Sequence, residues 1–335
     1  MSTSDKPTIG VLGAGAWGTA LAQMLSSDGR EVLIWALEPE LVGEINAQHS
    51  NSLYLPSERL DPNIRATGEL ADFAGIETVL VVTPAQHLGS VLRGLIKAPS
   101  DLVLCSKGID ATSGRLMNEV AQDAQPASEI AVLSGPTFAH EVAAGLPTAV
   151  TLACSGGEKQ WERLSPMIAR PAFRPYYSDD VTGAEIGGSI KNVLAIACGV
   201  VEGLKLGQNA RAALIARGYA EMLRFGEALG ARTETLAGLC GLGDLVLTCS
   251  STSSRNFSLG KALGEGGNAT LLLADRRTVA EGAHTAPVLH RLAVEMGLSM
   301  PITEAVNTIL DGADPAWVVT ELLSRPLRAE QGNAA

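Results

Sequence analysis

Short apolar runs alternate with stretches of helical periodicity through the first half of the chain. They fall at Ile9 to Leu12, Val32 to Trp35, Thr78 to Val82, Leu102 to Cys105, Ile130 to Leu133 and Ala149 to Ala153. Each run is continuously apolar, as strands are when both faces of their sheet are covered. Strands separated by helices imply crossover connections, so the pattern predicts a doubly wound α/β domain with a parallel sheet. From about Glu185 the strand-like runs stop. Helical periodicity takes over at Ile186 to Leu204, Arg211 to Leu229, Arg255 to Leu263, Thr285 to Met296 and Ile302 to Leu310, which predicts an all-α C-terminal domain. The boundary is set at 187/188, giving domains of residues 1–187 and 188–335. Residues 46–65 are polar, contain proline and show little periodicity, and read as an excursion over the surface. The polar tail after Arg325 is expected to fray.

A chain of 335 residues is too long for one ordinary core, in keeping with two domains. Apolar residues make up 46% and charged ones 18%, the balance of a compact globular protein. With 25 basic and 36 acidic residues the formal charge is −11, which argues against nucleic-acid and anionic-membrane partners. An anionic ligand would need a few local cations. The five cysteines form no Cys-x-x-Cys pair and read as reduced thiols of a cytoplasmic protein. The N-terminus has no secretory pattern, and no run reaches about 18 uninterrupted apolar residues, so no membrane span is expected. The five histidines lack ligand spacing, and no metal is expected.

Gly13-Ala14-Gly15-Ala16-Trp17-Gly18 follows the first strand and opens an amphipathic helix, Thr19 to Leu25. In that context Gly-x-Gly-x-x-Gly is a dinucleotide fingerprint. Gly13 allows the tight turn, Gly15 lets backbone approach a pyrophosphate, and Gly18 lets the helix pack on the strand. The first domain is therefore expected to be of Rossmann type. After the second strand, Glu38 is the candidate acceptor for the adenosine ribose hydroxyls, or else a solvated helix-start residue. No Arg or Lys stands beside it to receive a ribose phosphate, a lean towards NAD over NADP.

Three cation-bearing segments follow. Lys107, in Ser106-Lys107-Gly108, ends a strand at the edge where open α/β sheets bind ligands. Lys191 interrupts a helix that is apolar nearly all round, beside Gly187 and Gly188. Buried, it would lose hydration and become a proton acceptor near neutral pH; at the rim, its stem would snorkel to water. Gly238 to Asp244 has nucleotide-loop glycine spacing but no preceding strand, and reads as a tight turn presenting Asp244. Asp244 near Lys191 would orient the lysine while raising its pKa, against the effect of burial. Ser254-Arg255-Asn256 follows a hydroxyl-rich loop and reads as a capped helix start suited to a phosphate.

These segments, in this order and together with Gly135-Pro136-Thr137-Phe138-Ala139 and Glu281-Gly282, resemble the NAD(P)-dependent glycerol-3-phosphate dehydrogenase family. The resemblance runs from about Ile9 to about Pro326. It implies interconversion of sn-glycerol 3-phosphate and dihydroxyacetone phosphate by a homodimer, supplying glycerol phosphate for phospholipids. It makes Lys191 the proton acceptor, and puts Lys107, Gly135, Thr137, Asp244, Ser254, Arg255 and Asn256 on the substrate. Ala16, Trp17, Lys107, Ala139, Arg255 and Glu281 would join the glycines and Glu38 on the coenzyme, with Thr248 assisting Asp244. Another Rossmann dehydrogenase, acting on a 3-hydroxyacid or a sugar-acid phosphate, is the alternative.

Overall fold

The computed structural model describes residues 8–274 and 280–326. The N-terminal stretch before residue 8 and most of the tail expected to fray lie outside the described residues.

The first half alternates strand and helix. It begins β1 (Ile9–Leu12), α1 (Ala16–Ser26), β2 (Val32–Trp35), α2 (Pro39–Gln48), β3 (Ile64–Thr67) and β4 (Thr78–Val81). It continues α3 (Ala85–Arg93), β5 (Asp101–Leu104), α4 (Met117–Ala124), β6 (Glu129–Ser134) and α5 (Ala139–Ala143). β7 (Thr148–Cys154), α6 (Gly157–Ile168) and β8 (Phe173–Ser178) complete it. The sheet order is β3-β2-β1-β4-β5-β6-β7-β8. The chain reverses direction across the sheet between β1 and β4, and that switch point is where open α/β sheets take their ligands.

Residues along the central strands alternate between two cores, which is why their sequences read as continuous apolar runs. Val79 and Val81 of β4, Leu102 and Leu104 of β5 and Ile130 and Val132 of β6 belong to one core. Leu80, Val103 and Ala131 belong to the other.

The parallel sheet expected from the sequence is corrected at one place: β7 runs antiparallel to β6, with Val132 opposite Ala153. Residues 135–147 join these two strands, and the helix among them, α5, is only five residues long and packs against α1. Two further strands are not among the apolar runs. β3 is four residues long, and β8 is an edge strand in which Phe173 alone is buried. Pro175 sits within β8, a residue such an edge tolerates because no further strand has to accept its missing N–H.

The second half is helical: α7 (Val181–Gly203), α8 (Gln208–Ala228), α9 (Thr233–Leu236), a π-helical turn (Leu239–Gly243) and α10 (Asp244–Thr248). α11 (Arg255–Gly264), α12 (Ala269–Ala274), α13 (Glu281–Glu295), α14 (Pro301–Leu310) and α15 (Pro315–Leu323) follow. α7 is the axis of this half, and it starts five residues before the helix read from the sequence. Asp180 caps it, accepting a hydrogen bond from Gly183 N at 2.8 Å. By length and composition α7 could cross a membrane, but its apolar window is wholly buried inside the protein. It packs on β6 and β7 as well as on α8, α11 and α13. Position 187/188 thus falls within one unbroken helix that both halves share.

Glycines set how α11 lies on α7. A Cβ at Gly260 would come within 2.0 Å of Ile196 O, and one at Gly199 within 2.0 Å of Phe257 O. The two backbones therefore touch directly, and the N-terminus of α11 is carried up beside Lys191 and Asn192.

Candidate active site

A cleft of about 780 Å³ opens at the C-terminal ends of the strands, between the sheet and the helices. Its floor is the loop joining β1 to α1. Gly13 has φ +115°, a left-handed conformation that side chains avoid. A Cβ on Gly18 would lie 1.9 Å from Gly13 O, so only glycine lets α1 start this close to the loop. A Cβ on Gly15 would meet nothing within 4 Å, leaving open space where a ligand can approach backbone. Gly15 also precedes α1 without any side-chain cap, and the first turn of α1 carries no acidic residue. An uncapped eleven-residue helix aimed into a cleft from a glycine turn fits the pyrophosphate of a dinucleotide.

One wall of the cleft comes from strand ends. Cys105 N continues the β5 ladder onto Val81 O at 2.8 Å, and the Ser106 hydroxyl donates to Thr83 O at 2.5 Å. From α7, the Ser189 hydroxyl donates to Gly108 O at 3.1 Å. Lys107 is pinned between these anchors and points into the cleft. Thr137 and Ala139 line the same wall, whereas Gly135 does not reach the cleft. A Cβ at Gly135 would lie 2.9 Å from Val150 Cα, so this glycine serves the close approach of the chain to β7.

The opposite wall holds the charged cluster. Lys191 is 5% exposed, which decides between the two readings of its helix in favour of burial. Its Nζ lies 2.5 Å from Asp244 Oδ1 and donates to Thr248 Oγ1 at 3.1 Å. The Thr248 hydroxyl in turn donates to Asp244 Oδ1 at 3.2 Å. Asp244 and Thr248 stand one turn apart on α10, so both present to the same side of α7. Lys107 Nζ donates to the other oxygen, Asp244 Oδ2, at 2.8 Å. Asp244 itself is completely buried beneath the two amines and does not line the cleft.

The π-helical turn brings Asp244 here. A Cβ on Gly187 would come within 2.4 Å of Cys240 O, so the turn rests directly on α7.

Two amines share one carboxylate, and a single buried anion compensates a single cation. Burial works against the Lys107 ammonium, but Asp244 outweighs it and the Lys107 pKa is raised. Lys191 goes the other way. Burial, opposed by Asp244 but reinforced by the Lys107 charge, lowers its pKa to about 7. Near neutral pH the cluster is thus an ion pair of Lys107 with Asp244 beside a Lys191 amine that readily gains or loses a proton.

At the third side, Ser254 caps α11, accepting from Phe257 N at 3.3 Å. Arg255 is exposed to the cleft and Asn256 is buried next to it. The Asn256 amide donates to Asn192 Oδ1 at 3.0 Å and accepts from Gly282 N at 2.9 Å, joining α7, α11 and α13. Glu281 also faces the cleft; burial raises its pKa, against the Arg255 and lysine charges.

At the far end, Trp17 and Glu38 line the cleft. Glu38 stands at the N-terminal boundary of α2, as expected of a helix-start residue, but it is also held: Tyr54 OH donates to Glu38 Oε1 at 3.0 Å. Tyr54 belongs to the 46–65 segment, whose sequence suggests only an excursion. Another residue of that segment, Asn51, is fully buried and donates to Ala14 O and Thr19 Oγ1 at 2.9 and 2.8 Å. It props the glycine loop from behind. No periodicity marks either residue, because each acts as a single side chain reaching across 16 or more positions. Thr83, whose buried hydroxyl finds no partner among the described residues, lines the cleft beside Gly13 and is likewise unmarked by any sequence pattern.

Known proteins bear on this arrangement. Residues 8–160 match the N-terminal and residues 180–320 the C-terminal region of the NAD-dependent glycerol-3-phosphate dehydrogenase family. The chain is 74% identical over 327 residues to the glycerol-3-phosphate dehydrogenase (NAD(P)+) of Erythrobacter litoralis, a match covering 98% of this chain and 99% of that one. With the enzyme of the same description from Novosphingobium aromaticivorans it is 73% identical, covering 96% and 98%. The crystal structure of a glycerol-3-phosphate dehydrogenase from Coxiella burnetii aligns with TM-score 0.91 at 41% identity, covering 96% of this chain and 99% of that one. Sequence and fold agree along almost the whole length, and the chain belongs to the NAD-dependent glycerol-3-phosphate dehydrogenase family.

Proposed function

We propose that this protein interconverts sn-glycerol 3-phosphate and dihydroxyacetone phosphate with a nicotinamide coenzyme, supplying glycerol phosphate for phospholipid synthesis. The observation that carries the proposal is Lys191: a buried amine with its pKa near 7, open to the cleft that the glycine loop floors. When bound, the coenzyme supplies the hydride acceptor or donor.

The residues of this chain handle the proton and the phosphate. In the oxidative direction neutral Lys191 accepts the proton of the C2 hydroxyl as the C–O bond becomes a carbonyl, and Asp244 stabilises the ammonium formed. Thr248 holds the amine in line, and the Lys107 ammonium polarises the substrate oxygen. Arg255 and Asn256, at the Ser254-capped start of α11, take the phosphate with guanidinium, amide and helix N–H groups. Thr137 completes the substrate side, and Gly135 serves it by letting the chain pass close to β7. The glycine loop, Ala16, Trp17, Glu38, Ala139 and Glu281 form the coenzyme side, with Lys107 and Arg255 between the two. The two segments 1–187 and 188–335 share this labour: the first supplies most of the coenzyme side, and the second supplies the base together with Arg255 and Glu281. The reading includes a cytoplasmic homodimer with no nucleic-acid or membrane partner; the five free, buried thiols fit a reducing compartment.

Spectrophotometric oxidation of NADH tests the reading. Dihydroxyacetone phosphate should turn over, and hydroxyacetone, which lacks the phosphate, should show kcat/KM at least ~100-fold lower. Equal rates with both ketones, or none with either, would overturn it.

A further inference from the structure

Glu185 lies on α7 one turn before Ser189, buried and outside the lining of the cleft. Its Oε1 accepts a hydrogen bond from Asn118 N, at the start of α4, at 2.9 Å. Its Oε2 is buried without a partner among the described residues, and so is the side-chain oxygen of Asn118. Asn118 closes the loop that opens beside Lys107. Within that loop Ile109 bridges Leu116, Asp110 N donates to Arg115 O at 3.0 Å, and Gln86 of α3 holds Ile109 O and Ala111 N at 2.9 Å each. The two ends of the loop meet α7 one turn apart. The Ser189 hydroxyl, donating to Gly108 O at 3.1 Å and to Glu185 O at 2.8 Å, takes the end next to Lys107. The Glu185 carboxyl takes the end at Asn118.

An ionised carboxylate buried at this depth needs a cation or several donors, and Glu185 has one backbone N–H. Among the described residues the charge that acts on it is that of Glu119 on α4, of the same sign. Glu119 is itself engaged, accepting from Leu116 N at 3.0 Å and paired with Arg115 at 3.9 Å. Two orphaned acceptors on hydrogen-bonded residues call for a donor. A proton on Glu185 supplies one, removes the buried charge and leaves Oε1 able to accept from Asn118 N. Burial, aided by Glu119, lifts the Glu185 pKa to about 8 against the effect of the Asn118 bond. The consequence reaches Lys107, the residue before Gly108. Its ammonium helps to lower the Lys191 pKa. A loop that drifts off α7 takes that charge away and admits water, so that Asp244 raises the Lys191 pKa against less opposition.

We propose that Glu185, in its protonated form, is a positioning residue: it fastens the Lys107 loop to α7 and so keeps Lys191 tuned for proton transfer. The role rests on the dehydrogenase reading for its meaning, but its test needs no substrate. NMR of the intact protein, with lysine isotopically labelled at Cε and glutamate at Cδ, follows both groups. The Lys191 resonance is the one lost in Lys191→Ala, and that of Glu185 the one lost in Glu185→Gln. In wild type, Glu185 should be protonated at neutral pH and Lys191 should titrate at about 7. Glu185→Gln keeps a neutral acceptor for Asn118 N and should leave the Lys191 midpoint within ~0.3 pH unit of wild type. Glu185→Leu offers no acceptor and should raise that midpoint by at least ~0.7 pH unit. Where Glu185→Leu does not fold, Glu185→Asp, whose carboxyl sits one carbon further back, takes its place with the same expected rise. A Glu185 ionised at neutral pH overturns the inference. So does an unmoved Lys191 midpoint in Glu185→Leu or its replacement, or a Glu185→Gln midpoint displaced just as far. Oxidation of sn-glycerol 3-phosphate then separates the two readings. If the midpoints behave as stated while that substrate is not oxidised, the reaction reading falls and the positioning stands. If wild type oxidises it and the pH profile of Glu185→Leu or its replacement coincides with that of wild type, the reaction reading stands and the positioning falls.

Discussion

The glycine loop after β1 meets its ligand with backbone, whereas the cluster on α7 and α10 works with charged side chains brought from three distant segments. At the loop, affinity comes from what is missing: side chains at Gly13 and Gly18 and a capping group at Gly15. At the cluster, chemistry comes from an imbalance, two amines over one buried carboxylate. The first kind of site is set by local geometry and tolerates no added atom. The second is set by the electrostatics of a fold, where removing one group rewrites the protonation of the others.

Substitutions on the two sides should separate binding from chemistry. The largest effect is expected from Lys191→Ala, which should lower kcat by ~10²- to 10⁴-fold while NADH binding persists. The wild-type pH profile carries the same signature. Oxidation needs the neutral amine, so its kcat/KM should rise as pH passes upward through about 7. Reduction needs the ammonium and should fall over the same interval. Profiles of equal slope in both directions would remove Lys191 from the proton transfer.

Arg255→Ala comes next. Loss of a charge-assisted contact of about 1.5 to 3 kcal/mol should raise KM for dihydroxyacetone phosphate by ~10- to 150-fold, with little change in Tm. A variant that loses only thermal stability would show the guanidinium to be structural.

The smallest effect, and the one that marks the loop as different in kind, is expected from Gly18→Ala. Its methyl would overlap Gly13 O, so coenzyme binding and Tm should drop together, by about 1 to 3 kcal/mol of overpacking. Unchanged NADH affinity in a folded variant would contradict the packing role given to this glycine.

The two regions also differ in how far they could be read from sequence. The fingerprint from Gly13 to Gly18 is contiguous and flanked by its own strand and helix, so spacing alone places it. Lys191 stands out because it breaks an apolar helix. Its partner Asp244 lies 53 positions on, and whether burial or the carboxylate governs the amine depends on distances no periodicity encodes. The 46–65 segment shows the same limit. Asn51 and Tyr54 sit in a polar stretch with nothing to distinguish them, and they matter because the chain folds back across the glycine loop and Glu38. β8 escapes notice for a related reason: an edge strand buries little, and its polar and aromatic residues carry no apolar run.

By itself, the sequence determined the elements whose signal is local: the doubly covered strands, the glycine turn, the capped start of α11 and the helical second half. These follow from periodicity and from which residues the backbone geometry permits. The tertiary structure alone decided the antiparallel turn of β7, the shared helix α7 and the protonation of the lysine pair. Direction within a sheet, solvent exclusion and the balance of buried charge are properties of segments once packed together, and burial has no value until the rest of the chain supplies it.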